Sequence, residues 1–251
     1  MSRVCSASLR MLLLAGGLIS GITAGSQAAE ISWIATTGDF TTGTNWSSGS
    51  VPTVGDTAVI ANGGTATLTL AGGVAVEGPQ ISLGRDGAGT LAVEGTGSAS
   101  TVGPAWVGYT TADSVTAGAG TLTIGSGASL AVSGGGDAIV GGGEGALGGS
   151  GSVSIAAGGE FIFNASGRKL LVGQTTAGNV SSGSIEVAGT LSVTAGEMEI
   201  GRGQGGGGTG TGTLTILDGG VVTTNDWTKF GGKPFGGDGG GGLGRLVISG
   251  G

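Results

Sequence analysis

The residues able to do chemistry are few and scattered. The 251-residue chain contains no His, which removes His-dependent triads, imidazole metal ligation and the commonest general base. The ionisable groups that fall closest together are Arg168-Lys169, Glu197, Glu199, Arg202, Asp226, Lys229 and Lys233. A polysaccharide lyase or hydrolase needs clustered carboxylates with Arg, Lys or Tyr on one strand face, and these spacings assign no acid and base pair. Gly201-Arg202-Gly203-Gln204-Gly205-Gly206 satisfies G-x-G-x-x-G, but that pattern holds a pyrophosphate only inside a βαβ unit. In so Gly-rich a chain the match is expected by chance. Gly236-Gly237-Asp238 occurs once, with the wrong spacing for a calcium-binding nonapeptide repeat. The glycosylation sequons at Asn45, Asn164 and Asn179 are formal matches. No catalytic residue, cofactor or metal ligand is therefore assigned, and an enzyme is not expected.

Composition points the same way. Gly supplies 63 residues, the charged types 10% and the aromatics 4%. Gly and Pro at roughly 27% indicate a disordered chain unless the glycines recur at a fixed period. Helical bundles and Rossmann-type enzymes are disfavoured, because each Gly in a helix costs about 1 kcal/mol relative to Ala.

Residues 1–28 read as a secretory signal peptide. Arg3 and Arg10 form the positive region, Met11 to Leu18 open the apolar region, and Ser26-Gln27-Ala28 is a small-residue cleavage site. Cys5, the single cysteine, leaves with this segment, so the expected mature protein is stabilised by packing and backbone ladders, not disulfides. Losing Arg3 and Arg10 leaves 7 basic against 16 acidic residues, a net charge of −9. Nucleic acid is an unsuitable partner for such a surface.

The elements that would position any site are set by a repeat. Thr90-Leu91-Ala92-Val93, Thr121-Leu122-Thr123-Ile124, Ser152-Val153-Ser154-Ile155, Ser184-Ile185-Glu186-Val187, Thr213-Leu214-Thr215-Ile216 and Arg245-Leu246-Val247-Ile248 are six copies of one phrase. Their last apolar residues lie 31, 31, 32, 29 and 32 residues apart, a period that means stacked units. Each phrase alternates apolar and polar residues, as a half-buried strand does. An apolar pair closed by Gly precedes it, as in Val107-Gly108 and Val140-Gly141, and a third strand follows, as in Leu130 and Val132 or Phe161 and Phe163. The expectation is an all-β parallel β-solenoid of about six coils, each roughly 31 residues with three short strands. Residues 29–62, with Trp33, Phe40 and Trp46, are expected to cap it. Residues 63–251 are expected to form the repeats, the last one incomplete.

Aligned coils place particular side chains in rows. The outward position of the first strand reads Ser82, Trp106, Ile139, Leu171, Glu199 and Lys229. Trp106, Ile139 and Leu171 are thus expected as an exposed stripe that contacts a partner chain or glycan. Lys169, Glu199 and Lys229 are expected as a ladder of surface ion pairs. The outward Thr ladder of the second strand is broken in most coils, which disfavours ice or crystal binding. The Gly-rich segments between the first and second strands are expected as a mobile edge.

The phrase apolar-Gly, Gly-rich loop, Gly-Thr-Leu-x-Val resembles the Gly-rich repeats of bacterial type V secretion (autotransporter) passengers and PEP-CTERM-associated surface proteins. The lead-in Trp33, Asn45-Trp46, Val51-Pro52 and Asp56 is similar to the segment before such repeats. The resemblance implies a secreted or cell-surface, outer-membrane-associated β-solenoid with an adhesin-like structural or interaction role. It implies no shared catalytic residues. Its expected partners are a host or neighbouring-cell surface protein or glycan. Neither the membrane β-barrel nor the Pro-Glu-Pro sorting motif of those families occurs in the sequence, so a translocator or sorting region outside this chain, or end-to-end self-association, is expected. The alternative is a carbohydrate-active β-helix enzyme or glycan-binding module.

Overall fold

The computed structural model describes residues 28–72, 75–176, 178–203, 207–232 and 241–250. The expected signal peptide, Lys233 and the Gly236-Gly237-Asp238 motif lie outside them, apart from Ala28. The chain forms a parallel β-solenoid of about seven turns.

Three ladders build it. The first stacks Glu30–Ser32, the openings of Thr57–Leu70 and Gln80–Gly95, then Ala105–Thr110, Ala138–Gly143, the ends of Glu160–Thr175 and Thr190–Gly203, and Thr228–Phe230. The second stacks Thr37–Asp39, the ends of Thr57–Leu70 and Gln80–Gly95, then Ala119–Ile124, Ser150–Ile155, Val180–Val187, Thr209–Ile216 and Gly241–Ile248. The third stacks Ala75–Gly78, Gly97–Val102, Ala128–Ser133, the openings of Glu160–Thr175 and Thr190–Gly203, and Val221–Thr224. All these pairings are parallel. One turn more is present than the six expected, because Leu68 pairs with Val93 only 25 residues on and this short N-terminal coil escapes a 31-residue period. The strand Thr57–Leu70 also crosses the expected boundary at residue 62.

Alternation decides which side chains face in. Leu91, Leu122, Val153, Ile185 and Leu214 form one buried column of the second ladder, and Val93, Ile124, Ile155 and Val187 form the next. Burying such a side chain contributes roughly 1.5–3 kcal/mol, which repeated in every coil favours the stack.

Glycine makes the first corner. Gly141 has φ of +71°, and a Cβ on it would overlap the Ser182 carbonyl oxygen of the next coil. Facing it, a Cβ on Gly151 would overlap the Gly141 amide and the Val107 carbonyl. The two strands therefore touch backbone to backbone, an approach only Gly permits. This seam explains why the repeated phrase Gly-Thr-Leu begins with Gly.

The described parts of the loops beyond that corner carry hydrogen bonds, within themselves and to neighbouring coils. The Thr111 amide donates to Asp86 Oδ1 (2.8 Å) and the Gly118 amide to Thr110 Oγ1 (2.8 Å). Asn179 Nδ2 donates to the Gly145 carbonyl (2.7 Å), and Thr176 Oγ1 to that of Gly143 (2.8 Å). Buried in this role, Asn179 is a structural tie and not an open sequon.

At the N-terminal end Trp46 meets Trp33 and Phe40 edge to face, with centroids 5.0 and 4.9 Å apart. Trp46 Nε1 donates to the Phe40 carbonyl (2.8 Å). The edge of Glu30–Ser32 is occupied by Ser47, whose amide donates to the Ser32 carbonyl (2.8 Å) and whose Oγ accepts from the Ser32 amide (3.0 Å).

Candidate functional site

The densest chemistry lies on the outward side of the first ladder. Trp106 pairs with Ile139, Ile139 with Leu171, Leu171 with Glu199 and Glu199 with Lys229. Beyond the corner glycines a second row aligns Tyr109, Gly142, Gln174 and Arg202. The two rows form one patch, apolar towards the N-terminal coils and charged towards the C-terminal ones.

The apolar half is closed, which corrects the expected contact stripe. Trp106, Ile139 and Leu171 do stand side by side, but Leu171 is only 1% exposed, Ile139 is buried and Trp106 is partly buried. Tyr109, the single Tyr of the chain, supplies the cover. Its ring stacks on Trp106 with centroids 5.1 Å apart and planes 24° apart. Gly142 leaves the necessary space, since a Cβ there would lie 2.6 Å from Ile139 Cγ2 and 3.2 Å from Tyr109 Cδ2. Burial and the hydrogen-bonded Glu144 carboxylate push the Tyr109 hydroxyl well above its ordinary ionisation range. These residues form a second, smaller core outside the solenoid interior. Sequence reasoning missed Tyr109, although its position just after a corner glycine was the available signal.

The charged half is a continuous ion network. Lys169 Nζ lies 2.5 Å from Glu199 and 3.2 Å from Glu197. Lys229 Nζ lies 2.9 Å from Glu197 and 3.6 Å from Glu199, and Arg202 Nε is 3.2 Å from Glu199. Lys169 stands opposite Glu197, and Glu199 opposite Leu171 and Lys229. Hydrogen bonds from Lys229 and then Lys169 hold the Glu197 carboxyl below its usual range, and the Glu197 carboxylate holds the Lys229 ammonium above its own. At neutral pH Glu197 is thus a poor proton donor and Lys229 a poor base. Asp226, by contrast, accepts from the Trp227 amide (2.8 Å), and Arg168 is exposed. Among the described residues no three Asp, Glu, Cys or His side chains gather as a metal site.

The outward side of the second ladder is polar and uncharged over most of its length. Thr65, Thr90, Thr121, Ser152, Ser184 and Thr213 stand in one row across six coils. Ser152 Oγ donates to Thr121 Oγ1 (3.3 Å). Thr90, Thr121, Ser152 and Ser184 of this row line a shallow groove with Ala119, Ser150 and Ser182. The neighbouring row is interrupted by Ala92 and Glu186, as the sequence indicated.

Comparison with protein-family models, with curated proteins and with solved structures yields no match to this chain.

Proposed function

We propose that the chain is a non-catalytic structural and interaction module of the bacterial cell exterior, an adhesin-like β-solenoid rod exported on residues 1–28. The observation that carries this reading is the network of Lys169, Glu197, Glu199, Arg202 and Lys229. The strongest concentration of ionisable groups on a strand face is spent on pairing coils to one another. Reading the rod as part of an outer-membrane-associated surface protein rests on the Gly-rich repeat resemblance. Its partner would be a surface protein or glycan of a host or neighbouring cell, and the exposed Leu243, Leu246 and Ile248 would support end-to-end association.

The hydroxyl row favours a second reading, a glycan-binding module. Its groups accept and donate along a line parallel to the solenoid axis, with neighbouring strands about 4.8 Å apart. One experiment separates these readings from the enzyme. Beads coated with residues 29–251 are tested for retention on intact cells and on insoluble polysaccharides, while soluble polysaccharides are assayed for new reducing ends. Retention without product is expected. Product formation that disappears in Glu199→Gln would overturn the proposal, and retention on polysaccharide lost in Ser152→Val would select the second reading.

A further inference from the structure

The inward columns of the third ladder lose volume over the two coils that precede Phe161 and Phe163. Phe161 pairs with Leu130, and Leu130 with Ala99. Phe163 pairs with Val132, Val132 with Thr101 and Thr101 with Gly78. The same columns are thus filled by Phe in one coil, by Ala and Thr two coils earlier and, in one of them, by Gly three coils earlier. The missing side-chain volume reappears as a pocket of about 80 Å³ beneath the N-terminal cap. Phe40, Leu68, Ile81, Leu91, Ala99 and Leu130 form its apolar wall, and the exposed Thr41 and Glu77 lie at its rim.

One polar side chain is set into that wall. Thr101 lines the pocket and is 1% exposed, and its Oγ1 has no hydrogen-bond partner among the described residues. Valine occupies the same column one coil later and has nearly the same shape without a hydroxyl to satisfy. A buried hydroxyl left unbonded is destabilising, so the fold gains nothing from Thr at this position. A ligand that brings its own hydroxyl would complete the missing bond.

We propose that this pocket binds a small aliphatic alcohol, its alkyl part against Leu68, Leu91 and Leu130 and its hydroxyl on Thr101 Oγ1. A cavity of 150 Å³ accommodates the six carbons of benzene, so this one, about half that volume, suits a molecule of about three to four non-hydrogen atoms. The site is separate from the outward faces and does not depend on the rod's partner.

2-Propanol is the probe, titrated into residues 29–251 and followed by ligand-observed saturation transfer and by amide shifts. Saturable binding with shifts centred on Ala99, Thr101 and Leu130 is expected. Thr101→Val should weaken it about five- to tenfold, the worth of one hydrogen bond. Ala99→Leu should abolish it by filling the pocket, with the amide spectrum confirming that the variant folds. Absence of saturable binding, or binding unchanged by Ala99→Leu, overturns the site. Equal affinity in Thr101→Val overturns the assigned ligand class and leaves Thr101 as a hydroxyl bonded to water.

Discussion

The first and last turns of the solenoid use the same columns and treat them in opposite ways. At the N-terminal end Trp33, Phe40 and Trp46 lie over the interior, Trp46 is 1% exposed, and the residues around Ser47 occupy the edge of the first strand. In the last turn Leu246 pairs with Leu214 and Ile248 with Ile216, yet Leu246 is 45% and Ile248 is 70% exposed, while Leu214 is 2% exposed. The sequence of the column is equally apolar in both coils. Burial is therefore conferred by the next layer and not by the residue, which is the property of a one-dimensional stack. Ending a stack takes either residues of another kind, as at the N-terminal end, or a further layer of strands, because open strand edges invite pairing.

The comparison breaks most visibly at the tryptophans. Trp46→Ala removes a ring packed against two others and a hydrogen bond to the Phe40 carbonyl, and should lower unfolding stability by about 3–5 kcal/mol. Trp227→Ala, at a side chain 71% exposed, should change it by less than about 0.5 kcal/mol. Urea denaturation of both variants tests the pair, and equal losses would show that the aromatic cap is not what closes the first turn.

Leu214 and Leu246 sharpen the contrast within one column. Leu214→Ala leaves a cavity between layers and should cost about 2–4 kcal/mol, whereas Leu246→Ala, at a side chain 45% exposed, should cost about 1 kcal/mol or less. If a partner layer covers Leu246 in solution, the two losses converge and that of Leu246→Ala depends on protein concentration. Glycine offers the next smaller difference. Gly151→Ala drives a Cβ into the backbone of the seam and should cost about 1–3 kcal/mol. Gly241→Ala, in the last turn, has nothing within 4 Å of the added carbon and should be nearly neutral. Thermal unfolding monitored by circular dichroism distinguishes them.

Much of this architecture was legible because side-chain alternation and the closing glycine recur in every full coil. Val153, Ile185 and Leu214 could be placed in one column from spacing alone, and the row from Ser82 to Lys229 is correct residue by residue. The first full turn was not, since Leu68 sits 25 residues before its partner and a fixed period passes over it. Exposure was harder to read than register. Leu171 faces outward from its ladder and is still buried, because Tyr109 packs on that side with Ile139 and Trp106. No local pattern around Leu171 encodes a cover contributed from two coils away. Glu197 had the same problem in reverse: it lies two residues before Glu199 and opposite Lys169, and its place in the network follows from the fold at the corner before the first ladder.

Acidification produces the smallest expected difference and compares the two ends through their ion pairs. Near the first turn Arg85 grips Glu30 with both guanidinium nitrogens at 2.6 Å, and the hydrogen bond to Arg85 holds the Glu30 carboxyl below its usual range. Towards the last turns Lys229 and Lys169 do the same to Glu197. A carboxyl with a lowered folded-state pKa contributes stability that is present above its unfolded value, about 4.3, and is lost as pH falls through the folded value. Lys229, raised by Glu197, contributes stability that is present below about 10.4 and is lost as pH rises through its higher folded value. Stability should thus be flat between about pH 5 and 10 and decline on both sides. Each pair lies at the surface and is screened, so its share is under about 1 kcal/mol. Denaturation midpoints against pH for Glu30→Gln and Glu197→Gln measure the two shares separately. Bidentate geometry favours the larger loss in Glu30→Gln, and an acid limb as steep in both variants as in the parent would remove these carboxylates from the account of acid sensitivity.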